Sequence, residues 1–346
     1  MRTDPLRLRS DLLLLLTALI WGFAFVGQRL GMGHVGPFAF NATRFLIGAL
    51  VLLPVMAWGD RRRPTADDRR RTTDDGSQTR SAYPQMRNPP ASEAANSAIP
   101  PPPRPPASPL PRASAVLPGG LLVGALLFAA ATLQQTGISF TTAGKAGFIT
   151  SLYVVIVPLL GLALGHRIPR ATWLGALLAA VGLYFLTMRP GELRMAPGDL
   201  LVLVGALLWA VHMLLLGRLS PGRDPVRLAF VQFLTCAALS GLAALLFETT
   251  TAAGLRAALL PILYTGVLSV GVGYTLQVAG QRHAPPADTA IILSLEAVFA
   301  VLAGRLLLGE QLTARALLGC GLMLAGIVIS QVTSDELRVT SGEGGG

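Results

Sequence analysis

The chain has 346 residues, of which 52% are hydrophobic and only 13% are charged, and its mean hydropathy is +0.58. An ordinary globular domain carries about 25% charged residues. The low charge content here therefore excludes a soluble enzyme, a disulfide-stabilised secreted domain and a chain disordered throughout. The net charge of +10 does not indicate nucleic-acid binding, because the arginines lie in short segments between apolar runs, as in membrane proteins.

Ten apolar stretches follow one another along the chain. Each has about 20 residues, the length at which a helix crosses a hydrocarbon core of about 30 Å. The first is read as a retained helix rather than a signal peptide, because no small-residue cleavage site follows it. The sequence therefore predicts an all-α polytopic membrane protein with ten transmembrane helices. The predicted spans are 11–31, 36–58, 117–138, 143–165, 170–188, 198–217, 226–247, 258–280, 286–308 and 313–332.

Residues 59–116, between the second and third stretches, differ in composition from the rest. They hold 16 of the 46 charged residues and 12 of the 25 prolines. Such a segment cannot bury enough apolar surface to offset the entropy of ordering, which predicts a disordered insertion. A Pro-rich ligand for an aromatic-grooved domain is the alternative interpretation.

Cations are distributed unequally between the two sides of the predicted bundle. If the N-terminus is cytoplasmic, the inner segments hold 20 arginines and the outer segments hold six cations. Because cytoplasmic segments carry the excess of Arg and Lys, both termini and the long insertion are predicted to be cytoplasmic.

The two halves of the chain repeat each other. At an offset of 188 residues Trp21 aligns with Trp209 and Phe45 with Phe233, and at an offset of 143 ATLQQTGISF aligns with YTLQVAGQRH. The offset falls because the insertion is present only in the first half. The predicted domains are a first five-helix repeat over 11–188, a second over 198–333, and a disordered tail over 334–346.

An odd number of helices per repeat has a geometric consequence. The second copy must enter the membrane from the opposite side, so the two repeats are inverted and related by a pseudo-two-fold axis in the membrane plane. Secondary transporters are built in this way, with the substrate site near the midplane between the repeats. The plan favours transport by alternating access, although channels can share it.

Several segments resemble one known family. LTALIWGFAFVGQRLG at 16–31, FNATRFLIGALVLLP at 40–54, GISFTTAGKAGFITSLYVVIVPLLG at 137–161 and the segment 293–329 are similar to EamA-type permeases of the drug/metabolite transporter superfamily. The resemblance implies ten helices, a bacterial inner-membrane location, and movement, usually export, of small metabolites such as amino acids or drugs. The family often has Glu-Pro where this chain has Glu296 followed by Ala297, which predicts a less kinked helix there.

Ionisable and polar residues inside the apolar runs form the candidate site, because an unpaired charge in hydrocarbon costs several kcal/mol. Arg44 and Glu296 lie well inside runs of different repeats, so both are expected to line or lock the central cavity, with a purely structural ion pair as the alternative. Lys145 is equivalent to Asp288 and is read as an interfacial or gate residue. The predicted substrate-binding or gating residues are Arg44, Glu296, Trp21, Gln28, Gln135, Lys145, Tyr153, Trp209 and Gln277.

The predicted function is export or exchange of small metabolites, with a small-molecule substrate and membrane lipid as partners and with no cofactor, metal or nucleic acid. Proton coupling through Glu296, facilitated diffusion and a homodimer remain open. An intramembrane enzyme is the alternative from another class, but the sequence has neither a usable Gly-x-Ser-x-Gly and histidine pair nor His-Glu-x-x-His. A membrane scaffold or sensor acting through the Pro-rich insertion is the third reading.

Overall fold

The structure, a computed structural model, describes residues 5–61, 116–140, 143–187, 197–308 and 313–340. In these ranges all regular structure is helical and no strand occurs, which confirms the all-α fold class. The chain divides into one unit of Met1–Leu53 and Pro111–Gly346 and another of Pro54–Leu110. All contacts discussed below lie in the described part of the first unit.

Most helices begin at a proline or a capping side chain, as helix-start chemistry predicts. Asp224, for example, accepts hydrogen bonds from the amides of Val226 and Arg227 at 3.0 and 3.3 Å. The helices are α1 (Pro5–Met32), α2 (Pro37–Arg61), α3 (Leu117–Ile138), α4 (Ala143–Ser151), α5 (Tyr153–Ala163), α6 (Arg170–Thr187), α7 (Pro197–Leu219), α8 (Pro225–Phe247), α9 (Ala252–Ala257), α10 (Leu259–Leu263), a π-helix (Tyr264–Tyr274), α11 (Thr275–Gly280), α12 (Pro286–Leu293), α13 (Glu296–Leu308) and α14 (Ala314–Thr340).

Eight helical stretches in the described ranges are long and apolar enough to cross a membrane. Two further apolar helices, Arg170–Leu186 and Ala314–Ser330, are shorter. Large apolar side chains point outward from these helices; Leu245 and Leu260 are 86% and 77% exposed. The molecule is therefore a multi-pass membrane protein whose apolar surface faces lipid.

Two segments that the sequence predicts to be disordered overlap the ends of described helices. The predicted insertion 59–116 lies outside the described residues except at its edges, where α2 continues to Arg61. The tail predicted to be disordered, 334–346, overlaps the end of α14, which runs to Thr340. Residues 331–340 contain neither Gly nor Pro, so nothing in them ends the helix before Gly342.

Close contacts between equivalent glycines relate the two halves. A Cβ at Gly175 would lie 2.6 Å from the carbonyl oxygen of Gly326, and a Cβ at Gly182 would lie 2.6 Å from that of Gly319. Gly175 is equivalent to Gly319 and Gly182 to Gly326, so exchanging the two repeats maps one contact onto the other. The α6–α14 crossing is therefore symmetric, and only a residue without a side chain fits it.

Two of the membrane-length stretches are interrupted at equivalent places. The break between α4 and α5 falls at Leu152, and that between α12 and α13 at Ser294 and Leu295. The amide of Leu152 donates to Ile149 O at 3.2 Å, and that of Leu295 to Ile292 O at 3.1 Å. These tight turns thus break both helices, and the break before Ala297 forms without a proline at that position.

Candidate functional site

A central cavity lies where helices of both repeats meet. Its free volume is about 30 Å³, which is room for about two water molecules. The main buried cluster of the bundle, which includes Trp209 and Tyr274, surrounds it. The lining residues are Trp21, Phe25, Gln28, Arg44, Gln134, Thr150, Tyr153, Trp209, Met213, Ser269, Tyr274 and Glu296.

Three pairs of lining residues occupy equivalent positions in the two repeats. Trp21 is equivalent to Trp209 and Phe25 to Met213 at an offset of 188, and Tyr153 is equivalent to Glu296 at an offset of 143. Residues that a pseudo-two-fold axis exchanges can line one cavity only if that cavity lies on or near the axis. The cavity is thus built at the interface between the repeats, where inverted-repeat transporters bind their substrates.

Glu296 begins α13, immediately after the helix break. Its Oε1 accepts a hydrogen bond from the Tyr153 hydroxyl at 2.9 Å and a longer one from Ser151 Oγ at 3.4 Å. In the described part of the chain neither an ion pair with Arg44 nor a hydrogen bond to Oε2 occurs. The structure therefore pairs Glu296 with its own repeat-equivalent residue and not with Arg44, which leaves one carboxylate oxygen facing the cavity.

Arg44 projects from α2 and is only 2% exposed. Its guanidinium carbon lies 5.5 Å from the centroid of the Phe40 ring and 5.0 Å from that of Phe45, within the range of cation–π attraction. Among the described residues no oxygen accepts a hydrogen bond from Arg44, and its Nε is buried without a partner. A buried cation held only by aromatic faces remains able to bind an anion.

An aromatic wall forms around Tyr274, at the end of the π-helix. The Tyr274 ring lies 4.6 Å from that of Trp21 and stacks on that of Trp209 at 5.9 Å, measured between centroids. Trp21 Nε1 donates to the carbonyl oxygen of Ser269 at 3.1 Å, which satisfies a polar group inside an apolar wall. A π-helix is frequent at functional sites, and here it turns Ser269 and Tyr274 toward the cavity.

The structure brings together six of the nine residues named from the sequence. Gln135 and Gln277 are fully buried but do not line the cavity, and their side-chain amides have no partner in the described ranges. Lys145 belongs to α4, but its side chain lies outside the described part of the structure. The six that line the cavity are Arg44, Glu296, Trp21, Gln28, Tyr153 and Trp209.

Sequence reasoning did not select several other lining residues. Tyr274 and Ser269 lie in the segment that forms the π-helix, whose altered register has no signal in the hydropathy pattern. Phe25 and Met213 could have been found from the offset of 188, which aligns them one turn after the two tryptophans. Gln134 is identified only by the tertiary structure, in which its Nε2 donates a hydrogen bond to Thr150 Oγ1 at 3.2 Å.

A second cavity of about 270 Å³ lies at the end of the bundle that contains the start of α1. Arg7 and Asp288 line it and form a buried ion pair, with Nη2 and Oδ2 2.6 Å apart. Asp288 Oδ1 also accepts from Ser330 Oγ at 3.3 Å and Thr172 Oγ1 at 3.4 Å. The pair joins α1 to α12. The two cavities approach each other along α5, where Tyr153 lines the central cavity and Val157, one helical turn later, lines the second.

A different contact joins the start of α2 to the end of α8. Glu248 follows α8, and its two carboxylate oxygens accept hydrogen bonds from the amides of Phe38 and Ala39, each at 2.8 Å. A carboxylate at the N-terminus of a helix satisfies free amides and complements the helix dipole. In the described part of the chain, charged groups thus bridge different helices at two places, with the Arg7–Asp288 pair between α1 and α12 and Glu248 between α2 and α8. In the described part of the chain no three His, Cys, Asp or Glu residues are grouped as metal ligands.

Comparison with known proteins agrees with this architecture. An uncharacterised transporter of Archaeoglobus fulgidus is 30% identical over 324 residues, which cover 93% of this chain and 86% of that protein. An uncharacterised protein of Pseudomonas aeruginosa is 31% identical over 201 residues, 57% of this chain and 68% of its own length. A protein of known crystal structure that is 18% identical superposes with a TM-score of 0.66 over 96% of this chain and 99% of its own, so the two share a fold.

The family comparison covers both halves of the chain. The EamA-like transporter family matches residues 8–72, 101–188 and 196–331. These ranges contain all the residues that line the central cavity. The chain belongs to the EamA-like transporter family.

Proposed function

We propose that this protein is a secondary transporter that exports or exchanges small metabolites across the bacterial inner membrane, with both termini in the cytoplasm. The central cavity carries this proposal, since pairs of equivalent residues from the two repeats line it. Its aromatic walls together with Arg44 and Glu296 suit an amphipathic molecule, such as an amino acid or a drug of similar size.

Contacts on two sides of the bundle support the proposal of alternating access. The Arg7–Asp288 pair joins α1 to α12 on one side, and Glu248 joins the start of α2 to the end of α8 on the other. A substrate needs more room than about 30 Å³, so the helices must separate for it to enter. Rocking of one repeat against the other would break one of these contacts while the other holds.

Transport is tested by expression followed by reconstitution. The gene is expressed in a bacterium that is sensitive to toxic amino acid analogues, dipeptides and drugs. Compounds to which the bacterium becomes tolerant are then tested with purified protein. Purified protein in liposomes preloaded with each unlabelled compound should then take up the labelled compound by counterflow. Increased tolerance with no counterflow by pure protein would contradict transport and favour a scaffold or sensor.

Glu296→Gln tests whether the cavity is the transport site. A glutamine oxygen can still accept from Tyr153, so the variant should insert and fold, while the cavity loses its carboxylate. Because a hydrogen bond to a charged group contributes about 1.5–3 kcal/mol, flux per folded molecule should fall at least about ten-fold. The control is Glu343→Gln, which removes a carboxylate after the last predicted span and should leave flux unchanged. Wild-type flux in Glu296→Gln would remove this residue from the site.

A further inference from the structure

The two charged side chains that line the central cavity do not pair with each other in the described structure. Arg44 and Glu296 both line it, yet no ion pair joins them among the described residues. Glu296 accepts from two hydroxyl groups, whereas in the described ranges the guanidinium of Arg44 contacts the faces of Phe40 and Phe45 and no hydrogen-bond acceptor. The group that most needs a partner in this cavity is therefore a cation.

The fold itself does not require a charge at this position. The residue equivalent to Arg44 in the second repeat is Gln232, which is also fully buried. Its Oε1 lies 3.2 Å from His212 Nε2, so a neutral amide fills this place with a partner from the next helix. Arg44 has no such partner and is 2% exposed. A purely structural role would be served better by the neutral side chain that the other repeat uses.

From these observations, and resting on the proposed transport function, we infer that the substrate carries a carboxylate or an anionic group of similar size, and that Arg44 binds it and sets the specificity. A guanidinium donates two parallel hydrogen bonds to such a group. The rings of Trp21, Trp209 and Tyr274 form the apolar wall for the rest of the molecule. No described residue donates a hydrogen bond to Oε2 of Glu296, so this oxygen can accept one from the substrate. Acids with or without an amino group therefore fit, whereas amines without an acid group do not.

Binding to purified protein in detergent tests this inference without a transport assay. The probes are phenylacetate, 2-phenylethylammonium and 2-phenylethanol, which share a ring and differ in the charge of the head group, with indole-3-acetate as a larger acid. A ligand that binds the folded state raises the thermal midpoint. We expect the two carboxylates to stabilise the wild-type protein and to bind at least about ten-fold more tightly than the amine or the alcohol.

Variants assign the preference to Arg44. Arg44→Gln should abolish the difference between phenylacetate and 2-phenylethanol, and Arg44→Lys should retain it in weakened form, which keeps the test available if the glutamine variant fails to fold. Arg29→Gln removes an exposed arginine from α1 and should bind as wild type does. The inference is overturned if neither carboxylate binds, if the amine or alcohol binds as well, or if Arg44→Gln keeps the preference. Counterflow of amines alone would uphold transport and overturn this inference, whereas carboxylate binding without counterflow would do the reverse.

Discussion

Two buried arginines in this protein have different surroundings. Arg7 donates to the carboxylate of Asp288 at 2.6 Å, and the acceptor is itself held by two hydroxyls. Arg44 faces two aromatic rings and the central cavity. A paired buried charge is costly to disturb because removing one partner leaves the other uncompensated. Arg7 therefore stabilises the fold, whereas the charge of Arg44 is available to a ligand.

The first prediction concerns Arg7. Arg7→Gln should lower the free energy of unfolding in detergent by about 3–5 kcal/mol, because Asp288 is left buried without its cation. Arg227→Gln is the matched control, since its partner Asp224 lies 3.8 Å away and both side chains are partly exposed; a loss below about 1 kcal/mol is expected there. If a denaturant titration gives the same loss of unfolding free energy for both variants, the buried Arg7–Asp288 pair contributes no more to stability than an exposed pair.

Interrupted helices recur at equivalent positions of the two repeats. The breaks before Tyr153 and before Glu296 let these two side chains meet at 2.9 Å. Discontinuous helices are typical of transporters, where they are tolerated at membrane depth because the freed backbone lines a protein cavity. The π-helix adds a third irregular element on the same cavity. The elements that bear the site are thus the irregular ones, while α6 and α14 form a regular, tightly packed pair.

The second prediction concerns that pair. Gly319→Ala places a Cβ 2.5 Å from Gly182 O and 2.7 Å from Leu186 N. Both neighbours are backbone atoms, so α6 and α14 must separate, at an expected cost of about 1–3 kcal/mol. Gly321→Ala, two residues further along α14, meets nothing within 4 Å and should raise stability by up to about 1 kcal/mol, because alanine favours the helix. Thermal unfolding in one detergent compares the two, and a stabilised Gly319→Ala would rule out the close crossing.

Orientation in the membrane is a property of the whole molecule. The third prediction is that both termini and residues 59–116 face the cytoplasm, because 20 cations lie on that side and six on the other. In a background with Cys236 and Cys320 replaced by Ala, an impermeant thiol reagent should label Gly191→Cys in intact cells and Ser92→Cys only after permeabilisation. Labelling of Ser92→Cys in intact cells would reverse the orientation.

The insertion tests whether the helical bundle alone performs transport. The equivalent connection in the second repeat, between α8 and α10, is only residues 248–258 and contains the short helix α9. The fourth prediction is that a Gly/Ser linker of about ten residues in place of 63–112 leaves flux within about two-fold, because loop length contributes little to stability. Normal expression with lost flux would instead favour a scaffold or regulatory role for the Pro-rich segment.

The sequence by itself determined the class of the molecule and where its site would be sought. Apolar runs of membrane length must be helical, because lipid offers no partner for backbone amides, and the offset between the halves places equivalent residues without any structure. Polar groups inside such runs are costly, which is why Arg44 and Glu296 could be named in advance. Both line the central cavity.

Only the tertiary structure decided which of these residues meet. Arg44 and Glu296 were natural partners by charge, yet Glu296 bonds Tyr153 and Arg44 lies against aromatic rings. Contacts between repeats depend on how helices cross, and hydropathy carries no information on crossing angles. The π-helix that ends at Tyr274 and the helix break before Glu296 without a proline were also not predicted, since local propensity is a weak determinant once tertiary contacts form.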